Sequence, residues 1–303
     1  MSSDQRPGKG FPLSYARILA LTALTMLAFA GNSLLCRAAL GHTHIDAASF
    51  TTIRLVSGAL VLWLIVQVRG GTRTGSGNWP SALALFIYAA GFSYAYLSLP
   101  ASSGALLLFG AVQATMIGYG LWTGERPRYL QLAGLILAFA GLLGLLLPGV
   151  TAPPLYGSLL MLGAGVAWGI YSLRGRGAGN PIAVTAGNFL RTVPIAIVLS
   201  AFTFKGIAMD ADGFGYAVAS GALASGLGYA LWYTVLPTLK ATRAASVQLS
   251  VPVIAALGGV LFLGEHLSLR LIVASIAILG GIALVILEKR AANGGRPINA
   301  EQQ

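Results

Sequence analysis

The chain has 303 residues, of which 56% are hydrophobic and only 9% charged, and its mean hydropathy is +0.78. A soluble domain carries about 25% charged residues, so this composition excludes a water-covered globule and points to a chain embedded in membrane. The net charge of +11 would suggest nucleic acid in a soluble protein. Here it fits Lys and Arg anchoring on the cytoplasmic side instead, and no nucleic-acid partner is expected.

Gly, Pro and charge clusters divide the sequence into apolar stretches long enough to cross a bilayer. Spans are predicted near 17–40, 46–68, 78–98, 101–123, 128–147, 155–174, 181–204, 213–236, 241–263 and 267–288. In the first, Ala28-Phe29-Ala30 fits a leader cleavage site, yet the apolar run continues to Leu40, so the segment reads as a retained span. No segment outside the spans is large enough to fold separately. Residues 1–16 and 289–303 read as cytoplasmic tails, and 148–154 as a linker at the midpoint.

With the N-terminus inside, only Arg37, Lys205 and Arg270 of the 19 Lys and Arg fall outside, and Arg54 and Arg191 fall within spans. The remainder, Lys240 and Arg243 among them, lie on the inner side as orientation anchors. This bias places both termini in the cytoplasm, with the protein in a bacterial inner membrane.

The halves resemble each other. One offset carries Pro100 of YLSLPASSGA onto Pro237 of YTVLPTLKATRAA, Arg54 onto Arg191 and Arg37 onto Arg174. A slightly longer one carries Glu125 onto Glu265. Two copies of a five-span unit, 17–147 and 155–288, must insert in opposite orientations because five is odd. The fold class is therefore all-α integral membrane, with ten transmembrane helices in two inverted repeats. That is a common transporter architecture, with the substrate site between the repeats.

GYALWYTVLPTLKATRAASVQLSVPVIAALGGVLFLGE (228–265), SFTTIRLVSGALVL (49–62) and Gly124-Glu125 resemble EamA-type proteins of the drug/metabolite transporter superfamily. Within it the chain is similar in kind to amino-acid exporters of the YddG type. The resemblance implies alternating access and a central cavity built by the first four helices of each half, with the fifth peripheral.

Arg54 and Arg191 are intramembrane charges, which are costly and mark either a substrate carboxylate site or a structural lock on helix-end carbonyls. No Asp or Glu falls in the middle of a span, which disfavours a proton-coupled cation pump. Aromatics gather in the third, sixth and eighth spans: Tyr88, Phe92, Tyr94, Tyr96, Trp168, Tyr171, Tyr229, Trp232 and Tyr233. Tyr96 and Tyr233, near helix ends, suit the interfacial belt, while Tyr94, Trp168 and Tyr171 suit a cavity. The amides Asn32, Gln113, Asn188 and Gln248 read as deep and as candidates for substrate contact or helix–helix hydrogen bonds. Gly120/Gly124 and Gly165/Gly169 are close-packing pairs, and Pro194 and Pro252 are candidate kinks or gates.

The sequence carries no nucleophile–base constellation and no phosphate-binding loop, and the chain is not expected to be an enzyme. With one cysteine, and with His42 and His44 read as solvated loop residues, neither metal nor cofactor is expected. The expected partners are a small-molecule substrate and lipid, and the chain is expected as a monomer or homodimer. The expected function is export of small metabolites, amino acids foremost. The alternatives are sugars, nucleosides or quaternary cations as cargo, or a scaffold or sensor that transports nothing.

Overall fold

The computed structural model describes residues 14–70, 76–124, 126–149, 151–175, 179–203, 206–239, 244 and 247–294. Among them the chain forms ten helical rods and no strand. These are α1 (Tyr15–His42), α2 (Ala47–Val68), α3 (Trp79–Tyr96), α4 (Ala101–Trp122) and α5 (Tyr129–Leu146), then α6 (Leu155–Arg174), α7 (Pro181–Phe202), α8 (Ala211–Thr238), α9 (Ser250–Leu263) and α10 (Leu269–Gly294). Eight are long and apolar enough to cross a membrane. The exceptions are α3, whose 18 residues include Tyr88, Tyr94 and Tyr96, and α9, with 14. Of the predicted ninth span, 241–263, α9 covers Ser250–Leu263, and residues 244, 247 and 248 before it are helical. Lys240, Arg243 and Glu125 lie outside the described residues.

Asx side chains start four of the helices by accepting amide hydrogens of the first turn. Asp46 does so for α2, Asn78 for α3, Asn180 for α7 and Asp210 for α8. Each such cap is worth about 1 kcal/mol. The connections are short, so successive helices run in opposite directions. We call the end of the bundle at which α1 finishes the far end, and the other the near end.

Packing is pairwise. α2 lies against α7 and α8, α3 against α6, α1 against α8 and α9, and α4 against α6 and α9. α5 and α10 form a pair beside the rest, joined by small residues: a Cβ on Gly134 would collide with the Gly281 backbone, and one on Gly141 with Ala277. Leu130, Ile136 and Phe139 of α5 and Ile276 of α10 remain exposed, the surface a lipid-facing pair presents. Gly165 and Gly169 pack α6 against Leu108, Ala111 and Thr115 of α4, as their spacing suggested. Gly120/Gly124 differ: Gly124 has φ 95°, meets no neighbour and terminates α4 as a left-handed turn.

The helix α8 is not the uniform span the sequence suggests. Its first α-helical part, Ala211–Ala219, passes into a π-helical segment, Ser220–Leu227, before α-helix resumes at Gly228–Val235. The π segment crosses α2 at Gly221, where a Cβ would strike Ser57 Oγ and the Arg54 carbonyl. Pro194 lies inside α7. Pro252 lies in the first turn of α9.

The far end is extensively tied. Asp46 N–H donates to Ala208 O at 2.9 Å, and Ala208 N–H donates back to Asp46 Oδ2 at 3.1 Å. His44 N–H reaches Asp210 Oδ2 at 3.3 Å, and Arg37 donates to Tyr96 O at 3.0 Å. Burial opposes ionisation of Asp46, but hydrogen bonds from Ser49, Ala48 and Ala208 outweigh it and hold the carboxyl below its ordinary value of 3.8. The charged form is therefore favoured by folding. Its stabilisation is complete above that value and is lost as pH falls through the lower folded value. Thermal melting in detergent between pH 7 and pH 3 should show an acid-side loss, and that loss should be smaller in Asp46→Asn.

Glu265, just beyond α9, caps α4. Its Oε1 accepts from Ala101 N–H at 2.5 Å, and its Oε2 accepts from Ser102 N–H at 3.2 Å and Ser102 Oγ–H at 3.1 Å. A carboxylate at a helix N-terminus also meets the positive end of the helix dipole. Glu265→Ala is expected to cost about 1–2 kcal/mol in melting experiments. Glu265→Gln, which keeps an acceptor, should lose less.

Candidate substrate site

Six helices converge on a buried cluster. From α2 comes Arg54, 2% exposed. Its Nη2 donates to the Tyr88 hydroxyl of α3 at 3.0 Å, and its guanidinium carbon lies 5.2 Å from the Tyr88 ring centroid and 4.8 Å from that of Phe92. Its Nη1 is buried with no hydrogen-bond partner. From α1, Asn32 Nδ2 also donates to the Tyr88 hydroxyl, at 3.4 Å, while its Oδ1 accepts from Ser220 of the α8 π segment at 2.7 Å. A full guanidinium charge is thus compensated here by ring faces and one hydroxyl. Isolated buried charges are expensive, and cation–π contacts recover only about 2 kcal/mol.

Beside this polar group stands an aromatic stack. Trp168 of α6 lies 4.8 Å from Tyr88 and is stacked between Tyr171 at 5.3 Å and Tyr229 of α8 at 5.1 Å. Phe189 of α7 and Phe29 of α1 close on Tyr229 at 5.8 and 5.7 Å. Toward the near end, Tyr171 accepts from Asn188 Nδ2 at 3.5 Å and donates to Thr185 at 3.5 Å. There a cleft lined by Asn78, Ser81, Tyr171, Arg174, Asn188 and Tyr233 approaches the stack. No group of three or more His, Cys, Asp or Glu that could hold a metal occurs among the described residues.

The sequence candidates separate. Asn32, Arg54, Trp168, Tyr171 and Asn188 come together; Tyr94, Gln113, Gln248 and Arg191 are placed elsewhere. Tyr94 is half-buried and outside the stack. Gln113 is buried on α4. Gln248, read as deep, precedes α9 and is half-buried. Arg191 spends its Nη1 on Ser76 O and Gly187 O, each at 2.8 Å, tying α7 to the turn before α3. Asn188 also accepts from Asn78 N–H at 2.9 Å in the same tie. Tyr96 corrects the belt expectation. It is fully buried, its ring covers Gly104 of α4 and its edge meets Phe92 at 4.8 Å. Tyr88, Tyr229 and Phe92 complete the cluster, though the sequence marked them only as aromatics of the third and eighth spans. The proximity of Tyr88 to Asn32 and Arg54 is tertiary and left no sequence signal.

Residues 155–287 match the EamA-like transporter family. Over 282 residues the chain is 58% identical to the uncharacterized protein PA1977 of Pseudomonas aeruginosa, covering 92% of this chain and 98% of that one. The chain belongs to the EamA-like transporter family. It is 28% identical to an uncharacterized transporter of Archaeoglobus fulgidus, over 72% of this chain and 82% of that one. It is 24% identical to the uncharacterized transporter YvbV of Bacillus subtilis, over 92% and 94%. A solved crystal structure aligns with a TM-score of 0.64 at 20% identity, covering 89% of this chain and 99% of its own, a likeness of fold. A family of transporters and eight long apolar helices together make this a multi-pass membrane protein.

Proposed function

We propose that this EamA-family protein is a bacterial inner-membrane carrier that exports small metabolites, amino acids and related carboxylates foremost, by alternating access. The observation that carries this reading is Arg54: a buried guanidinium with an unpartnered Nη1, set in an aromatic cage where six helices meet. A carboxylate is the anion whose geometry matches such a fork. Asn32, Trp168, Tyr171 and Asn188 are the accompanying contacts in this reading, and Arg191 is structural.

The architecture proposed is ten crossing helices in two inverted repeats, 17–147 and 155–288, with cytoplasmic tails. Helix pairing supports it. Exchanging the halves sends the α2–α7, α4–α9 and α5–α10 contacts onto themselves, and the α3–α6 contact onto α8–α1. The far end is then periplasmic, and the near-end cleft is the cytoplasmic approach. Pro194 serves as a hinge within α7. Lys240 and Arg243 fix orientation.

The test is substrate-stimulated counterflow by the purified chain in proteoliposomes, with amino acids, organic acids, sugars, nucleosides and quaternary cations as competitors. Competition by carboxylates supports the reading, and competition by quaternary cations alone refutes it. Absence of any counterflow favours a scaffold or sensor.

A further inference from the structure

The cage holds one positive charge, and Asp46, Asp210, Asp212 and Glu265 all stand near helix ends. A zwitterion whose carboxylate met Arg54 would hold its ammonium one carbon away, in the field of the same guanidinium. That ammonium would need acceptors. The Tyr88 hydroxyl already accepts from Arg54 and Asn32, and Asn32 Oδ1 already accepts from Ser220. Aromatic faces are the other neutral partner for a cation, but those of Tyr88 and Phe92 already face Arg54. An ammonium there would stand beside a guanidinium of its own sign, with no Asp or Glu among the cage side chains to offset it. A carboxylate fares differently. It meets Arg54 Nη1, and the Tyr88 hydroxyl, accepting twice, has its own proton to give. Trp168, Tyr171 and Tyr229, stacked on one another, border the cage with apolar ring surface for the rest of the molecule.

Taking the Arg54 cage as the substrate site, we propose that it selects monoanionic aromatic carboxylates over the corresponding zwitterionic amino acids. The cage pairs one charge with one charge, and the flat body lies along the rings.

The test compares three molecules with the same ring on the wild-type chain in proteoliposomes at pH 7: 3-phenylpropanoate, phenylalanine and phenethylamine, a monoanion, a zwitterion and a cation. Counterflow should favour 3-phenylpropanoate over phenylalanine by about tenfold or more, the scale of one charge-assisted contact, with phenethylamine inactive. Arg54→Gln should erase that preference. If Arg54→Gln gives no protein, Tyr88→Phe should narrow it. Phenylalanine exchanging as well as or better than 3-phenylpropanoate overturns the selectivity and leaves the carboxylate-carrier reading intact. Exchange of sugars, nucleosides or phenethylamine with neither carboxylate overturns both, as does an absence of exchange by every compound.

Discussion

Arg54→Gln is expected to weaken binding of a carboxylate substrate by about 10–100-fold, the worth of one or two hydrogen bonds to a charged group. The empty protein should meanwhile melt at the same temperature as the wild type or higher. The two halves of this expectation have one cause. Arg54 is 2% exposed, with Nη1 unpartnered and no carboxylate in its contacts, so its burial costs the resting protein free energy. Gln removes the charge and keeps a donor for the Tyr88 hydroxyl. Arg191→Gln should behave the opposite way. It loses the bonds to Ser76 and Gly187 carbonyls, so melting should fall while affinity stays within about twofold. Titration of ligand binding alongside thermal melting in detergent measures both. A large drop in melting temperature for Arg54→Gln with affinity intact would make Arg54 a structural lock.

The second large effect is at Gly221. Its hydrogen faces Ser57 Oγ and the Arg54 carbonyl so closely that even a Cβ does not fit, and the obstacle on one side is backbone. Gly221→Val must therefore push α8 off α2. Overpacking of this kind costs about 1–3 kcal/mol, and more where backbone has to move. Gly215→Val, six residues earlier on the same helix with nothing within 4 Å of the added atom, is the matched control and should be near neutral. Gly221→Val should also reduce transport beyond its effect on melting, because the shifted helix carries Ser220, which holds Asn32.

Much of the helical layout was legible in the sequence. Hydropathy and the Asx, Pro and Gly breaks mark α2, α4, α6 and α7 to within two residues, because a helix in lipid has to satisfy its own backbone and end where polar caps are available. Side-chain fates were less legible. Tyr96 sits at the end of an apolar run, where a tyrosine usually faces the membrane surface, yet Gly104 of the next helix opens a place for its ring. Gln248 reads as deep because its neighbours are apolar, although it sits half-buried just ahead of α9. One sequence offset carries Arg54 onto Arg191, and tertiary packing distinguishes them: Arg191 meets the carbonyl of a turn, Arg54 a wall of rings. The π segment reads in sequence as SGALASGL, a run of small residues like any packing face, and nothing local forecasts the change of winding.

That winding sets the aim of everything after it. A π turn takes up an additional residue relative to an α turn, and each residue of an ordinary helix rotates the chain by about 100°. The segment from Ser220 to Leu227 therefore works as a phase shifter within one rod. Before it, α8 is registered to Asp210 and the far-end knot; after it, to Tyr229 and Trp232. Deleting a single residue from this segment would leave the composition almost untouched and swing both rings away from Trp168 and Phe29. An insertion or deletion here would retarget the cage without altering any of the side chains that line it.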